Sequence, residues 1–174
     1  ILNTAASRWA LAAAAMVTTM ALTGNVVADY SGEEVVVGDV TFTRNGNTWT
    51  ITASAGSVIN YDSFNIWEWE TFEFLLPDEQ SRILNRVTGD VFSQIDGNLF
   101  SNGMVYLINP AGVYFGDGAV VNVGGLFAAA ANMTNDDFVA GHNLFTGTMG
   151  EVVNSGQIYG GSVHLIGQYV RNHG

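Results

Sequence analysis

Along the last two thirds of the chain, apolar and polar positions alternate in short runs, and Asn or Gly bounds each run. The clearest run, Gly103-Met-Val-Tyr-Leu-Ile108, returns as Gly161-Ser-Val-His-Leu-Ile166. Val105 matches Val163, Leu107 matches Leu165 and Ile108 matches Ile166, while Met104/Ser162 and Tyr106/His164 vary. Constant apolar positions at a period of two predict a strand with one buried face and one outward face. The copies are offset by 58 residues (166 − 108), which fits three coils of about 20 residues, the short end of repeat periods. A chain that rebuilds one strand at a fixed spacing is stacking coils, so the pattern predicts an all-β solenoid.

The same pattern places the other elements. Val40 and Phe42 alternate before Arg44-Asn-Gly-Asn47, and Trp49 and Ile51 alternate after it. Asn45-Gly46 suits the positive φ angles of a tight hairpin, so residues 35–53 are expected to form a lead-in hairpin that blocks the open edge of the first coil. Residues 57–77 hold Tyr61, Phe64, Trp67, Trp69, Phe72 and Phe74, with Glu68, Glu70 and Glu73 interleaved. Strict alternation would put the rings of Trp67 and Trp69 on one face and the carboxylates on the other, with a corner or bulge at Thr71-Phe72. Residues 78–86 are expected to make a short helical turn or an Ω-type bulge. The coil rhythm is strongest over residues 90–131, whose glycines supply corners. Polar residues 132–148, with Asn135-Asp-Asp137, predict an excursion outside the coils, and the rhythm resumes at Glu151.

The N-terminus differs in kind. Arg8 precedes an apolar run over residues 9–22 with Ala at six of its positions, and Asn25-Val-Val-Ala28 follows. One positive charge, a short apolar segment and a small-residue exit fit a secretory signal peptide over residues 1–28. The run is shorter than the roughly 20 apolar residues of a membrane span. The expected organisation is therefore a signal peptide (1–28), an N-terminal cap (29–55) and a β-helical domain (56–174) at the front of a longer exported protein.

Composition narrows the function. Lysine is absent, Arg numbers five, Asp and Glu together number 16, and the net charge is −11. That balance repels phosphate backbones and argues against nucleic-acid partners. The absence of Cys excludes disulfides and thiolate metal sites. His142, His164 and His173 have no metal-ligand spacing, and Ser93, Ser101 and Ser162 have no evident base. The acidic pairs Glu33-Glu34, Asp78-Glu79 and Asp136-Asp137 are scattered, and a loop-ordering role suits the last of them better than catalysis. The expectation is no enzyme, no cofactor and no metal.

Several segments recur in the order of a known family: Ile59-Asn-Tyr-Asp-Ser-Phe-Asn-Ile66, Leu84-Asn-Arg-Val87, Ser93-Gln-Ile-Asp-Gly-Asn-Leu99 and Asn102-Gly-Met-Val-Tyr-Leu-Ile-Asn-Pro-Ala-Gly112. Val113-Tyr-Phe-Gly116, Val121-Asn-Val-Gly-Gly-Leu126 and Asn135-Asp-Asp-Phe138 follow. Over residues 56–174 the chain resembles the secretion domain of two-partner-secretion exoproteins, the filamentous-haemagglutinin N-terminal domain. The resemblance implies a right-handed parallel β-helix with a β-hairpin cap. It also implies a targeting role: after Sec export, the chain is recognised by the periplasmic POTRA domains of a dedicated outer-membrane β-barrel transporter, and it folds at the cell surface or is released.

The family's hallmark turn, Asn-Pro-Asn-Gly, corresponds here to Asn109, Pro110 and Gly112, with Ala111 departing from the pattern; the family's earlier Asn-Pro-Asn-Leu turn has no counterpart. Export competence is expected to rest on Asn109, Pro110 and Gly112, with Asn85 and Arg86 helping to present the turn. An alternative function, surface adhesion or glycan binding on the outer face, is motivated by the interleaved Trp67, Glu68, Trp69 and Glu70.

Overall fold

A computed structural model describes residues 30–174; the predicted signal peptide lies outside the described residues. Three strands form the front end: β1 (Tyr30–Ser31), β2 (Glu34–Val37) and β3 (Val40–Asn45). Five coils follow. The first holds β4 (Thr48–Ala53), β5 (Ser57–Tyr61) and β6 (Ser63–Phe64), and the second β7 (Thr71–Leu75), β8 (Arg82–Val87) and β9 (Ser93–Ile95). The third holds β10 (Asn98–Ser101), β11 (Met104–Ile108) and β12 (Val113–Phe115). The fourth contains β13 (Val120–Val123), β14 (Gly125–Ala129), helix α1 (Asn135–Ala140) and β15 (Glu151–Asn154). The fifth contains β16 (Gln157–Gly160), β17 (Val163–Ile166) and β18 (Tyr169–Asn172).

Strands of successive coils pair in parallel into three faces, ordered β4-β7-β10-β13-β16, β5-β8-β11-β14-β17 and β9-β12-β15-β18. This is a parallel β-helix. Antiparallel strands close its front: β3 covers β4, β2 covers β5 and β1 pairs with β6. The hairpin predicted around Asn45-Gly46 is β3–β4, with Gly46 at φ +59. Its second strand is also the first strand of a coil, because β4 pairs in parallel with β7. The cap therefore grows out of the helix and covers backbone groups that would otherwise template a neighbour's strand. Tyr30 plugs the interior at this end, its ring centroid within 6.0 Å of those of Phe42, Trp49, Tyr61 and Phe72.

Inward positions of all three faces form one core that includes Ile59, Phe72, Ile83, Val105, Val113, Val121, Leu126 and Val152. Burying each such side chain contributes on the order of 1.5–3 kcal/mol. A second core lies outside the coils, on the face carrying β8, β11 and β14. There Leu84, Tyr106, Ile108, Phe127 and Ala129 meet Met133 and Phe138 of the excursion. Helix α1 is started by Thr134, whose hydroxyl oxygen accepts the Asp137 amide, and stopped by Gly141 at φ +81. The loop-ordering role expected of the Asp136-Asp137 pair thus falls to Asp137 as a capping partner.

Three expectations need correcting. Val105 pairs with Leu126 and Leu126 with Val163, so the 58-residue offset spans two coils rather than three. The second of these coils is lengthened by the excursion at residues 132–148. Of the outward positions, His164 is exposed as expected, but Tyr106 is not a free surface: it stacks on Phe127 at 4.3 Å under the excursion, and Phe127 stacks in turn on His164 at 4.3 Å. The helical turn expected over residues 78–86 is a tight turn followed by a strand. Asp78 Oδ1 accepts from the Gln80 amide and the Ser81 hydroxyl, and β8 begins at Arg82. Ile83 and Leu84 are both buried because β8 has a core on each side, which erases the alternation that marks a half-buried strand.

Candidate functional site

The corner between β11 and β12 is the turn at residues 109–112. Pro110 presets φ for the second turn position, and Gly112, at φ +128, takes a conformation that side-chain-bearing residues rarely adopt. The turn closes through the Gly112 amide donating to the Asn109 carbonyl at 3.0 Å. Asn109 is fully buried, and both polar atoms of its side chain are bonded. Its Oδ1 accepts from the Ala111 amide at 3.0 Å, and its Nδ2 donates to the Val91 carbonyl and to Ser93 Oγ, each at 3.0 Å. Its backbone amide donates to the Ala129 carbonyl at 2.9 Å. One residue thus ties its own coil to the coil before it and the coil after it. Ala111, where the resemblance led one to expect Asn, is exposed.

Asn85 and Arg86 sit elsewhere. Asn85 points into the coil interior, accepting from the Tyr61 hydroxyl at 3.2 Å and donating to the Tyr106 carbonyl at 3.4 Å. Burial raises the Tyr61 pKa well above its ordinary value, and the charges of Tyr30 and Glu33 add to it. Arg86 points the other way, donating to Asn60 Oδ1 at 3.1 Å, to the Met133 carbonyl at 2.8 Å and to Asn135 Oδ1 at 2.7 Å. Burial lowers its guanidinium pKa. Arg86 is therefore the clasp that holds the start of the excursion on the helix. The structure brings Asn109, Pro110 and Gly112 together and gives Asn85 and Arg86 separate bonding networks.

Sequence reasoning weighed Ser93 only as a nucleophile and missed its place as the buried hydroxyl bonded to Asn109. The available signal was register: Ser93 lies beside Val113, one residue past the turn, on the neighbouring strand.

A second corner, residues 67–70, joins β6 to β7. It is a turn rather than the strand suggested by alternation, closed by the Glu70 amide donating to the Trp67 carbonyl at 2.9 Å. The Glu70 carboxylate is buried, accepts from the Trp67 amide at 3.3 Å and lies 3.8 Å from the Arg44 guanidinium. Trp67 and Trp69 share one side, as expected, with near-parallel rings 6.1 Å apart. Glu68, expected on the opposite face, is exposed beside them and lines the same groove. The corner predicted at Thr71-Phe72 thus falls just before β7.

Among the described residues, no group of three or more His, Asp or Glu side chains is placed to hold a metal ion. His142 lies 3.6 Å from Asp137 in the excursion, and His173 is at the exposed end of the last coil.

Residues 27–174 match the family model described as the TPS secretion domain. The chain is 40% identical over 132 residues to a heme/hemopexin-binding protein of Haemophilus influenzae (strain Rd), a match covering 73% of this chain and 15% of that protein. A second heme/hemopexin-binding protein of Haemophilus influenzae is 43% identical over 75 residues, covering 43% of this chain and 8% of that one. The crystal structure of the HMW1 secretion domain from Haemophilus influenzae superimposes with a TM-score of 0.81 at 38% identity, covering 83% of this chain and 41% of that chain. The chain thus spans about one seventh of the length of the first curated relative.

Proposed function

Because the chain belongs to the TPS secretion domain family, we propose that it directs a large exoprotein through a dedicated outer-membrane β-barrel transporter and starts β-helix folding at the cell surface. The signal peptide delivers it to the periplasm through the Sec machinery, the transporter's POTRA domains receive it, and the exoprotein is released or retained at the surface.

The observation that carries this reading is the family match over residues 27–174. The fold supplies a physical reason. Each coil pairs only with the coils before and after it, so folding can propagate from the capped front end. Folding outside the membrane then biases the chain outward without ATP. The proposed role of Asn109, Pro110 and Gly112 follows from their place in that process. Buried Asn109 is accessible to a transporter only before its coil closes, and it stitches three coils together once they form. Asn85 and Arg86 contribute by seating the coil interior and the excursion rather than by presenting the turn.

Secretion of the tagged chain, with and without the cognate transporter, tests the reading. Transporter-dependent appearance outside the cell is expected, and periplasmic retention in both cases would refute it. Asn109→Ala should lower secretion while signal cleavage continues; undiminished secretion would remove the turn from the mechanism.

A further inference from the structure

Exposed tryptophan is costly, since each indole has roughly 150–250 Å² to hide. Yet Trp67 is 40% and Trp69 59% exposed, side by side on one corner. Their rings stack, 18° from parallel with centroids 6.1 Å apart, so the pair offers an indole face as a platform rather than the crossed walls of a cage. Together with Glu68, Asp96 and Gly118 they line an open groove of about 360 Å³.

The platform is held rigidly. The Glu70 carboxylate braces the turn from beneath, and the Asp96 and Gly97 amides both donate to the Ile66 carbonyl, at 2.7 and 3.1 Å. Gly97 is required there: a Cβ would stand 2.1 Å from the Trp67 carbonyl oxygen. Asp96 is fixed through Oδ1 by the Gln94 amide group at 2.7 Å. A rigid aromatic surface of this kind binds without losing conformational freedom.

The geometry points to a carbohydrate-binding site that takes a neutral pyranose. The sugar's C–H face lies on the Trp67–Trp69 platform, and its hydroxyls donate to the carboxylates of Glu68 and Asp96. The groove's volume is at the low end of small-ligand pockets, which fits one or two sugar rings. The two carboxylates and the net charge of −11 disfavour sialic and uronic acids. The site is independent of the secretion reading, because none of its residues belongs to the turn at residues 109–112.

Calorimetric titration of the folded chain with maltotriose, cellotriose and triacetylchitotriose tests it, with sialyllactose as the acidic control. At least one neutral saccharide should bind with a Kd of about 1 mM or tighter. Trp69→Ala should weaken that binding by about tenfold or more, as loss of a buried aromatic contact does. Glu68→Gln should weaken it less, and both variants should be secreted like the wild type. Trp69→Phe, which keeps a ring, should retain most of the affinity and guards against misfolding as the cause. The proposal falls if no neutral saccharide binds up to about 10 mM, or if Trp69→Ala binds like the wild type. It also falls if tetramethylammonium binds the groove in place of every sugar.

Discussion

Two corners of the helix are built alike and expose opposite chemistry. Residues 67–70 and 109–112 each close through an amide donating to the carbonyl three residues back, at 2.9 and 3.0 Å. A buried polar side chain braces each one: the Glu70 carboxylate takes the Trp67 amide, and Asn109 Oδ1 takes the Ala111 amide. The first corner turns two indoles toward solvent, whereas the second shows only Ala111 and part of Pro110. The contrast separates two roles that a motif search merges. The residue that the family resemblance singled out faces inward and joins coils; the corner outside that motif carries the surface proposed to hold a sugar.

The sharpest way to break the first corner is Gly97→Ala. Its Cβ would approach the carbonyl oxygens of Trp67 and Glu70 to 2.1 and 2.5 Å, and backbone atoms cannot swing aside. Overpacking of this kind costs about 3 kcal/mol, read as a lower denaturation midpoint, with loss of saccharide binding. A cost below about 1 kcal/mol would show that the corner yields and is no rigid platform.

Asn109→Ala tests the second corner. It removes the partners of the Ala111 amide and the Val91 carbonyl and leaves the Ser93 hydroxyl one bond short. The expected loss is about 2–3 kcal/mol, measured by urea unfolding of the folded chain. A loss under about 0.5 kcal/mol would mean that Asn109 does not join the coils.

A middle effect comes from Arg86→Ala, which releases the Met133 carbonyl and Asn135 from the clasp. Faster amide exchange across residues 132–146 is expected, with about 1–2 kcal/mol lost; unchanged exchange would place the hold on the excursion in the Tyr106–Phe138 and Phe127–Phe145 ring contacts instead. The smallest effects sharpen the contrast on its outer side. Ala111→Asn and Trp69→Ala each alter an exposed side chain, so thermal unfolding should shift by no more than about 0.5 kcal/mol. A larger loss in Trp69→Ala would make the indoles part of the fold rather than a surface.

The sequence by itself determined the inward faces, the hairpin turn and the kind of stack. Val105, Leu107, Val121 and Val123 all lie in the coil core, and Asn45-Gly46 turns the hairpin. These signals are local: a period of two and a glycine that accepts positive φ are written within a few residues. Tertiary structure decided what happens outside the coils. Tyr106 stands at an outward position of its strand, yet it is buried with Leu84 and Phe127 because Met133 and Phe138 fold back over them. The number of coils between Val105 and Val163 was hidden for the same reason, since the excursion lengthens one coil. Lengthening a loop adds little entropic cost to its closure, so a chain can insert such a cover without disturbing the rhythm on either side. Nothing in a strand's own alternation records whether a distant segment will return to lie on it.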